Sequence, residues 1–242
     1  MTSFKNPPLL EAIFELRWAL DDNNDFNKIQ FLFEDLYSRF SKEYPFRENI
    51  VDATIPLPVL NGQPVRRFRK AENAYPLIQI GPGILTLNSD SKNYLWEDFI
   101  GRSEKLINSF FELYPIDNKK MVGPSIVFLD FFKFDFQNWN AYEFIDKFFN
   151  INFEQSFLKT TNNPNNLNIN FSYEVDWWQL VVTFLMGKNT LGEDWILLQT
   201  RLNSPWVPPN KKEVMDWLHS SHRFSSDLFK ELTKGQLLQS FQ

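Results

Sequence analysis

A run of five residues, 66–70 (RRFRK), is the strongest local concentration of positive charge in the chain. Side chains alternate between the two faces of a strand, so Arg67 and Arg69 share one face if this run is a strand. Two guanidinium groups with Phe68 or Tyr75 beside them would suit an anionic ligand, because the charges attract it and an aromatic ring stacks on a base. These four residues are the first candidates for a binding site.

The same arginines have a structural alternative, which we favour. Arg67 and Arg69 could pair with Glu11 and Glu15, which share one face of another predicted strand, and such pairs contribute about 0.2–1 kcal/mol each. The chain carries 25 Lys+Arg against 30 Asp+Glu, a net charge of −5. This acidic balance disfavours nucleic acid as a partner, because surfaces that bind nucleic acid are basic.

Tryptophans at the ends of predicted elements are the second group of candidates. Glu174 and Asp176 share a face of one predicted strand, and two carboxylates about 6 Å apart could serve a glycoside hydrolase. Nearby tryptophans could stack on sugar rings or anchor a partner. An exposed polar strand face explains the carboxylates without catalysis, so hydrolysis is the weaker alternative. The tryptophans that no apolar stripe explains are Trp139, Trp177, Trp178 and Trp206, and the last three are the candidate binding residues.

Other patterns typical of catalysis are missing from the sequence. The only two histidines, His219 and His222, lie three residues apart on a predicted helix, which favours helix packing over metal binding. No Gly-x-Ser-x-Gly or phosphate-binding glycine pattern occurs, and residues 81–83 (GPG) are typical of a hairpin turn. Cysteine is absent, which excludes thiolate nucleophiles and cysteine-bound metals. We therefore predict no catalytic residues, no metal site and no cofactor.

The composition is that of a globular chain rich in aromatic residues. Of 242 residues, 43% are apolar and 23% charged, which excludes global disorder. Aromatic residues make up 17%, and codon bias in an A/T-rich genome explains this excess more simply than a large aromatic core or an aromatic binding surface does. The start of the chain lacks a signal-peptide pattern, and no apolar run approaches the ~18 residues of a membrane span. We expect a cytoplasmic bacterial protein with no membrane segment.

Hydrophobic periodicity predicts the elements that would position these residues. Alternation with period two predicts strands, and apolar residues spaced three and four apart predict helices. A strand over 50–60 would lie at a sheet edge, because Pro56 and Pro58 cannot donate to a neighbour. In the first half the predicted order is strand 10–20, helix 26–40, strands 50–60 and 65–70, hairpin 77–88 and helix 93–112.

A polar break at Pro115 and residues 117–120 separates the two halves. Beyond it, strand 125–136 is apolar on both faces and is therefore predicted to be central. The Asn-rich segment 161–166 is predicted to be a loop. In the second half the predicted order is strand 125–136, helix 140–152, strands 167–175, 179–187 and 194–203, and helix 211–232.

The halves 1–118 and 119–242 thus share the order β-α-β-β-β-α, from which we infer an internal duplication within one continuous globular unit. The predicted fold class is α+β, with a mainly antiparallel, curved sheet and helices packed on one face. A fold of this kind does not define a function.

Several motifs resemble a sporadically distributed family of uncharacterised bacterial proteins. Residues 6–17 (NPPLLEAIFELR) match the Pro-Pro-x-x-Glu-Ala segment that opens the first strand of that family. The chain departs from the family at its midpoint, where residues 129–132 (LDFF) replace a Leu-Arg-Tyr-type strand. Further matches are Arg67-x-Arg69, the hairpin 79–85 (QIGPGIL) with Asn88, Tyr94-x-Trp96-x-x-Phe99, and His222 with Phe229-x-x-Leu232-Thr233.

The resemblance spans most of the chain and implies the duplicated fold without implying an activity. The patchy distribution of the family is similar to that of mobile defence or accessory genes. We therefore predict a non-enzymatic binding or interaction module in a defence or toxin-related operon, with a protein partner or a second copy of itself. The alternatives are a small-molecule or nucleotide receptor that uses Arg67, Arg69 and aromatic residues, and a carboxylate-dependent hydrolase.

Overall fold

Apolar alternation places strand β1 (Leu9–Trp18) at the centre of a large sheet, with Ala12, Phe14, Leu16 and Trp18 buried on one face. The computed structural model describes residues 7–20, 23–114, 116, 120–133, 140–153, 164, 166–188 and 194–241. The other strands are β2 (Phe46–Asn49), β3 (Arg66–Arg69), β4 (Leu77–Gly81), β5 (Ile84–Asp90), β6 (Val122–Lys133), β7 (Leu167–Val175), β8 (Trp178–Lys188) and β9 (Asp194–Asn203). The helices are α1 (Asn23–Phe40), α2 (Trp96–Leu113), α3 (Ala141–Phe148), α4 (Lys211–Leu232) and α5 (Gly235–Ser240).

The nine strands form one sheet in the order β2-β3-β4-β5-β1-β6-β9-β8-β7, and every neighbouring pair is antiparallel. The predicted α+β class with an antiparallel sheet is therefore confirmed. The predicted curvature is not found, because the sheet is open and uncurled, with β2 and β7 at its edges. β6 lies beside β1 at the centre, as its apolar faces predict.

Each half contributes strands in a comparable order. The first half gives β1-β5-β4-β3, with β2 added at the edge, and the second gives β6-β9-β8-β7. The second half follows the predicted β-α-β-β-β-α order, apart from the short α5 at its end. The first half has four strands after α1, so the shared order is only approximate. The internal duplication therefore stays a prediction.

The predicted strand over 50–60 is wrong. β2 ends at Asn49, and Leu57–Leu60 form a short 3₁₀ helix. Pro56 precedes this turn and Pro58 lies in its first residues, where the fixed φ of proline suits a helical start and its missing N–H is not needed. The alternation of apolar residues here reflects a turn packed on the core through Leu60.

The helices cover one face of the sheet in the described ranges. On that face Phe68 meets Tyr37 of α1, Trp18 meets Phe110 of α2, and Trp178 meets Trp217 of α4. In the described ranges, most buried aromatic side chains belong to this layer, where they pack the helices against the sheet.

Two predicted segments end early or fall outside the described ranges. α3 starts at a capping box formed by Asn140 and Glu143 and ends at Phe148 rather than near residue 152. Residues 134–136, the break at 115 and 117–119, Trp139 and most of the loop 161–166 lie outside the described residues. Among the helices in the described ranges, none combines the length and the apolarity needed to cross a membrane.

Candidate functional site

A row of polar side chains crosses the face of the sheet opposite the helices. Residues paired directly across antiparallel strands point to the same face, so the registers of all eight strand pairs align one residue from each strand. We call this set the polar row. In sheet order it comprises Glu48, Arg67, Gln79, Thr86, Glu15, Ser125, Asn203, Gln179 and Glu174.

Arg67 and Arg69 lie near one end of the polar row and pair with Glu48 of β2. Arg67 Nη1 and Arg69 Nε each lie 3.0 Å from Glu48 Oε1. Burial raises the pKa of Glu48, but hydrogen bonds from the two arginines outweigh it and lower the pKa overall. The structure therefore supports ion pairing of the two arginines. The predicted partners were wrong, because the arginines pair with Glu48 and not with Glu11 or Glu15. Strand order explains the error, because β5 and β4 separate β3 from β1.

Glu15 lies at the centre of the polar row and binds two other arginines. Its Oε1 accepts from Arg17 Nε at 2.7 Å and from Arg201 Nη1 at 3.1 Å. Burial raises the pKa of this carboxyl, but the hydrogen bonds and positive charges of Arg17 and Arg201 outweigh burial and hold the pKa below its ordinary value. The two arginines thus neutralise the buried carboxylate of Glu15. The bond from Arg201 also links β9 to β1 across β6.

Of the two aromatic candidates near the arginines, Phe68 is buried and only Tyr75 is partly accessible. Phe68 points to the helix side and is 0% exposed, so its ring is not accessible to a ligand, contrary to the prediction. Tyr75 is half-buried, and its hydroxyl donates to Glu11 Oε1 at 3.2 Å. The guanidinium of Arg69 lies 5.8 Å from the centre of the Tyr75 ring. The anionic-ligand site is therefore filled by contacts within the chain.

At the other end of the polar row, two candidate tryptophans line one cleft of about 330 Å³. Trp177 is 56% exposed and Trp206 is 52% exposed, among the most exposed large apolar side chains in the described ranges. We call this site the tryptophan cleft. Its principal lining residues are Arg17, Glu174, Trp177, Gln179, Asn203, Ser204 and Trp206.

Both tryptophans pack against neighbouring residues. Trp177 lies in the two-residue turn between β7 and β8, where Asp176 has a φ of 56°. An edge contact joins its ring to that of Trp178, at 5.8 Å between centroids. The ring of Trp206 lies over Gly123, where a Cβ atom would be 3.6 Å from it. Neither side chain can be explained as core packing, because both remain more than half exposed.

Polar groups in the tryptophan cleft are in part unsatisfied. The carboxylate of Glu174 has no ion pair or hydrogen bond in the part of the chain that the structure describes. Ser204 Oγ is buried and has no partner there either. Asn203 Nδ2 donates to Gln179 Oε1 at 2.9 Å, which holds two planar amides side by side. The cleft therefore offers flat aromatic faces beside hydrogen-bonding groups.

The third candidate tryptophan has a structural role. Trp178 is half-buried on the helix side, and its ring meets Trp217 and Phe224 of α4 at 6.2 Å and 5.9 Å between centroids. The prediction thus grouped the core residue Trp178 with the surface residues Trp177 and Trp206. Position at the end of an element does not show whether a side chain is exposed.

Sequence reasoning missed a second, smaller site on the helix side of the sheet. Asp130 of β6 is only 6% exposed and faces a pocket of about 140 Å³. We call it the Asp130 pocket. Its lining residues are Pro7, Pro8, Leu9, Tyr94, Phe128, Asp130, Thr200, His222, Ser225, Ser226 and Phe229. A signal existed in the sequence, since Asp130 is an acidic residue within an otherwise apolar strand.

Ser225, His222 and Asp130 are the residue types of a hydrolytic triad, and they line the same pocket. Ser225 Oγ has no hydrogen-bond partner, and no ion pair joins His222 to Asp130 within the described residues. Burial lowers the pKa of His222 to about 4 instead of the rise that an adjacent carboxylate would cause. The triad is therefore not assembled. In the described ranges, no group of three or more residues suited to metal binding occurs.

Another cleft, of about 620 Å³, lies between α1 and the segment that follows β2. Its charged residues are already paired, because Glu34 accepts from Arg66 and, at 2.6 Å, from Arg47. Arg66 also lies 5.1 Å from the centre of the Phe33 ring. Size alone does not make this cleft a site. Among the described residues that line it, none has a buried side-chain polar atom without a partner, whereas the tryptophan cleft has Ser204 Oγ.

The chain was compared with protein-family models, curated proteins and solved structures, and it matches none of them.

Proposed function

We propose that the protein is a non-enzymatic binding module that holds a partner protein at the tryptophan cleft. The observation that carries the proposal is the exposure of Trp177 and Trp206 on two sides of one cleft, at 56% and 52%. Tryptophan is the residue most enriched among the side chains that dominate the binding energy of interfaces. A tryptophan side chain has only two torsions, so these two rings lose little conformational entropy when a partner covers them.

Charge supports a partner with a neutral or basic contact surface. The chain has a net charge of −5, and Glu174 brings a carboxylate without an ion pair in the described residues to the cleft. Arg17 also lines the cleft, but its guanidinium is bound to Glu15. Glu174 therefore favours a partner that brings a neutral or positively charged group to its side of the cleft.

The alternative receptor at Arg67 and Arg69 is disfavoured. An anionic ligand would have to displace Glu48 from both guanidinium groups, and Phe68 is not accessible. The loss of two charge-assisted hydrogen bonds would offset the gain from the ligand. The hydrolase alternative likewise lacks support, because no base or second carboxylate is hydrogen-bonded to Glu174 in the described part of the chain.

A small-molecule receptor remains a second candidate at the tryptophan cleft itself. The paired amides of Asn203 and Gln179 beside two indole faces are suited to a sugar, whose hydroxyls bind planar amides while its ring stacks on an aromatic face. Neutral oligosaccharides added to the purified protein should then change tryptophan fluorescence in wild type and not in Trp206→Ala. A flat response would leave the partner protein as the occupant.

Affinity capture from the native host tests the main proposal. Tagged wild type is compared with the double variant W177A/W206A and with Phe31→Ala, a matched control because Phe31 is 72% exposed on α1 outside the cleft. We expect a protein that wild type and F31A retain and that the double variant loses. The same proteins on all three baits, or none on wild type, would contradict the proposal.

A second copy of the chain is one possible identity of that partner. Sedimentation of the purified protein identifies it: a wild-type dimer that W177A/W206A converts to monomer would make the cleft a homodimer interface. If wild type and W177A/W206A are both monomers, the partner is a different protein.

The internal duplication, cytoplasmic location and defence-related context belong to the same proposal. The corresponding strand orders β1-β5-β4-β3 and β6-β9-β8-β7 support duplication. The context rests on the resemblance carried by residues 6–17 and 79–85. The identity of neighbouring genes tests it, and an isolated housekeeping setting would contradict a defence role.

A further inference from the structure

The Asp130 pocket lies on the face of the sheet opposite the tryptophan cleft and is formed by segments distant in sequence. Pro7 to Leu9 come from the start of the chain, Tyr94 from the loop before α2, and Thr200 from β9. His222, Ser225 and Phe229 come from α4. Only the folded chain brings these residues together, so a ligand of the pocket would bind the native state alone.

Buried polar groups without partners in the described residues belong to the lining of this pocket. Asp130 is 6% exposed and forms no hydrogen bond or ion pair in the described residues. Ser225 is 5% exposed, and neither its Oγ nor the hydroxyl of Tyr94 has a partner. Buried polar groups are normally hydrogen-bonded, and each one left unsatisfied destabilises the folded state. Several such groups around one cavity are the arrangement expected of a site that a ligand completes.

The walls between these groups are aromatic. Phe128 lies 6.2 Å from Tyr94 and 6.3 Å from His222 between ring centroids, and Phe229 lines the other side. Faces of aromatic rings attract cations. Burial keeps His222 neutral at physiological pH, because its pKa is lowered to about 4. No lysine or arginine lines the pocket, so the described chain supplies no cation to Asp130.

We propose that the Asp130 pocket binds a primary alkylammonium group, with the Asp130 carboxylate as counter-ion and hydroxyls of Ser225 and Tyr94 as further acceptors. An ammonium carries three N–H donors and no acceptor, which matches one carboxylate and two or more hydroxyl oxygens around a small cavity. A guanidinium is planar and larger, so a cavity of about 140 Å³ favours the more compact ammonium group. The volume of about 140 Å³ fits a chain of a few carbons.

Such a group could belong to a free amine or to a lysine side chain of a peptide. Calorimetric titration at about pH 8, where alkylamines remain charged, therefore uses two probes: butylammonium chloride, and an acetylated, amidated Gly-Lys-Gly peptide. Butanol, of similar shape and uncharged, is the control ligand. Binding of butylammonium alone indicates a free amine as the source, and tighter binding of the peptide indicates a lysine side chain.

Three variants make the test specific. Asp130→Asn keeps the shape of the side chain and removes its charge, and we expect at least about tenfold weaker binding of both charged probes. Asp227→Asn removes the same charge from the exposed side of α4 and should change the affinity less than about twofold. Ser225→Ala removes one acceptor with little risk to folding and should weaken binding by a few-fold, roughly as for one neutral hydrogen bond.

Two results would overturn the proposal. One is equal affinity of wild type and D130N for the charged probes. The other is wild-type protein that binds neither probe more strongly than it binds butanol. Far-ultraviolet circular dichroism of each variant shows that the fold is retained, and S225A still decides the question if D130N does not fold.

Discussion

The imidazole of His222 lies flat against the indole of Trp96, with 3.5 Å between ring centroids and 4° between ring planes. The contact joins α4 to the first turn of α2 beside the Asp130 pocket. Burial in this stack disfavours the imidazolium, so the pKa of His222 falls from 6.5 to about 4. Asp130, a short distance away in the same pocket, is shifted in the opposite sense, because burial raises the pKa of its carboxyl to about 7.

Replacement of His222 by phenylalanine should remove part of the acid sensitivity of the fold. Below pH 6.5 the unfolded chain binds a proton that the folded chain does not bind until about pH 4, so the free energy of unfolding falls as the pH drops through this window. H222F keeps a ring against Trp96 and cannot titrate. Between pH 7 and about pH 4 we expect wild type to lose about 2 kcal/mol more than H222F in urea unfolding. Equal losses of unfolding free energy in wild type and H222F would contradict the lowered pKa of His222.

Replacement of Asp130 by asparagine should have its effect at higher pH. Between 3.8 and about 7 the folded chain holds a proton on Asp130 that the unfolded chain has released, so the free energy of unfolding falls as the pH rises through this window. D130N cannot titrate and should be more stable than wild type by about 3 kcal/mol at about pH 8, with the difference fading toward about pH 4. Urea unfolding of both proteins at both pH values measures this effect. A stability difference that is the same at both pH values would show that Asp130 has an ordinary pKa.

Replacement of Glu48 by glutamine should release the two arginines of β3. Arg67 and Arg69 would lose their shared carboxylate, and partly exposed ion pairs of this kind contribute about 1 kcal/mol or less to stability. We expect E48Q to bind ATP more tightly than wild type. Glu34→Gln, which makes the same charge change on α1 beside Arg47 and Arg66, is the control. Equal ATP affinity in wild type and E48Q would mean that the arginines are already open to an anion.

Local patterns predicted much of the fold. β7, β8, β9 and α4 follow clean alternation or helical spacing within a few residues of the predicted bounds. The strand over 50–60 failed because a short alternating stretch with two prolines is equally compatible with a 3₁₀ turn. Local periodicity cannot separate these two outcomes.

The site was harder to predict, because it depends on strand order and register. Arg67 and Arg69 were expected to form ion pairs, but their partner Glu48 lies in a strand that the sequence did not indicate. Trp177 and Trp206 were predicted as candidates because both lie at the ends of elements, and only the fold brings them to one cleft. Asp130, His222 and Ser225 meet through contacts between β6 and α4, which no sequence spacing reveals.

Photo-crosslinking from the tryptophan cleft tests the central claim most directly. A benzophenone amino acid replaces Trp177 in cells of the native host, and the same replacement at Phe31, which is exposed outside the cleft, is the control. The account predicts a discrete protein adduct from position 177 that is absent from position 31. No adduct at position 177, or the same adducts from both positions, would contradict a partner-binding role for the cleft.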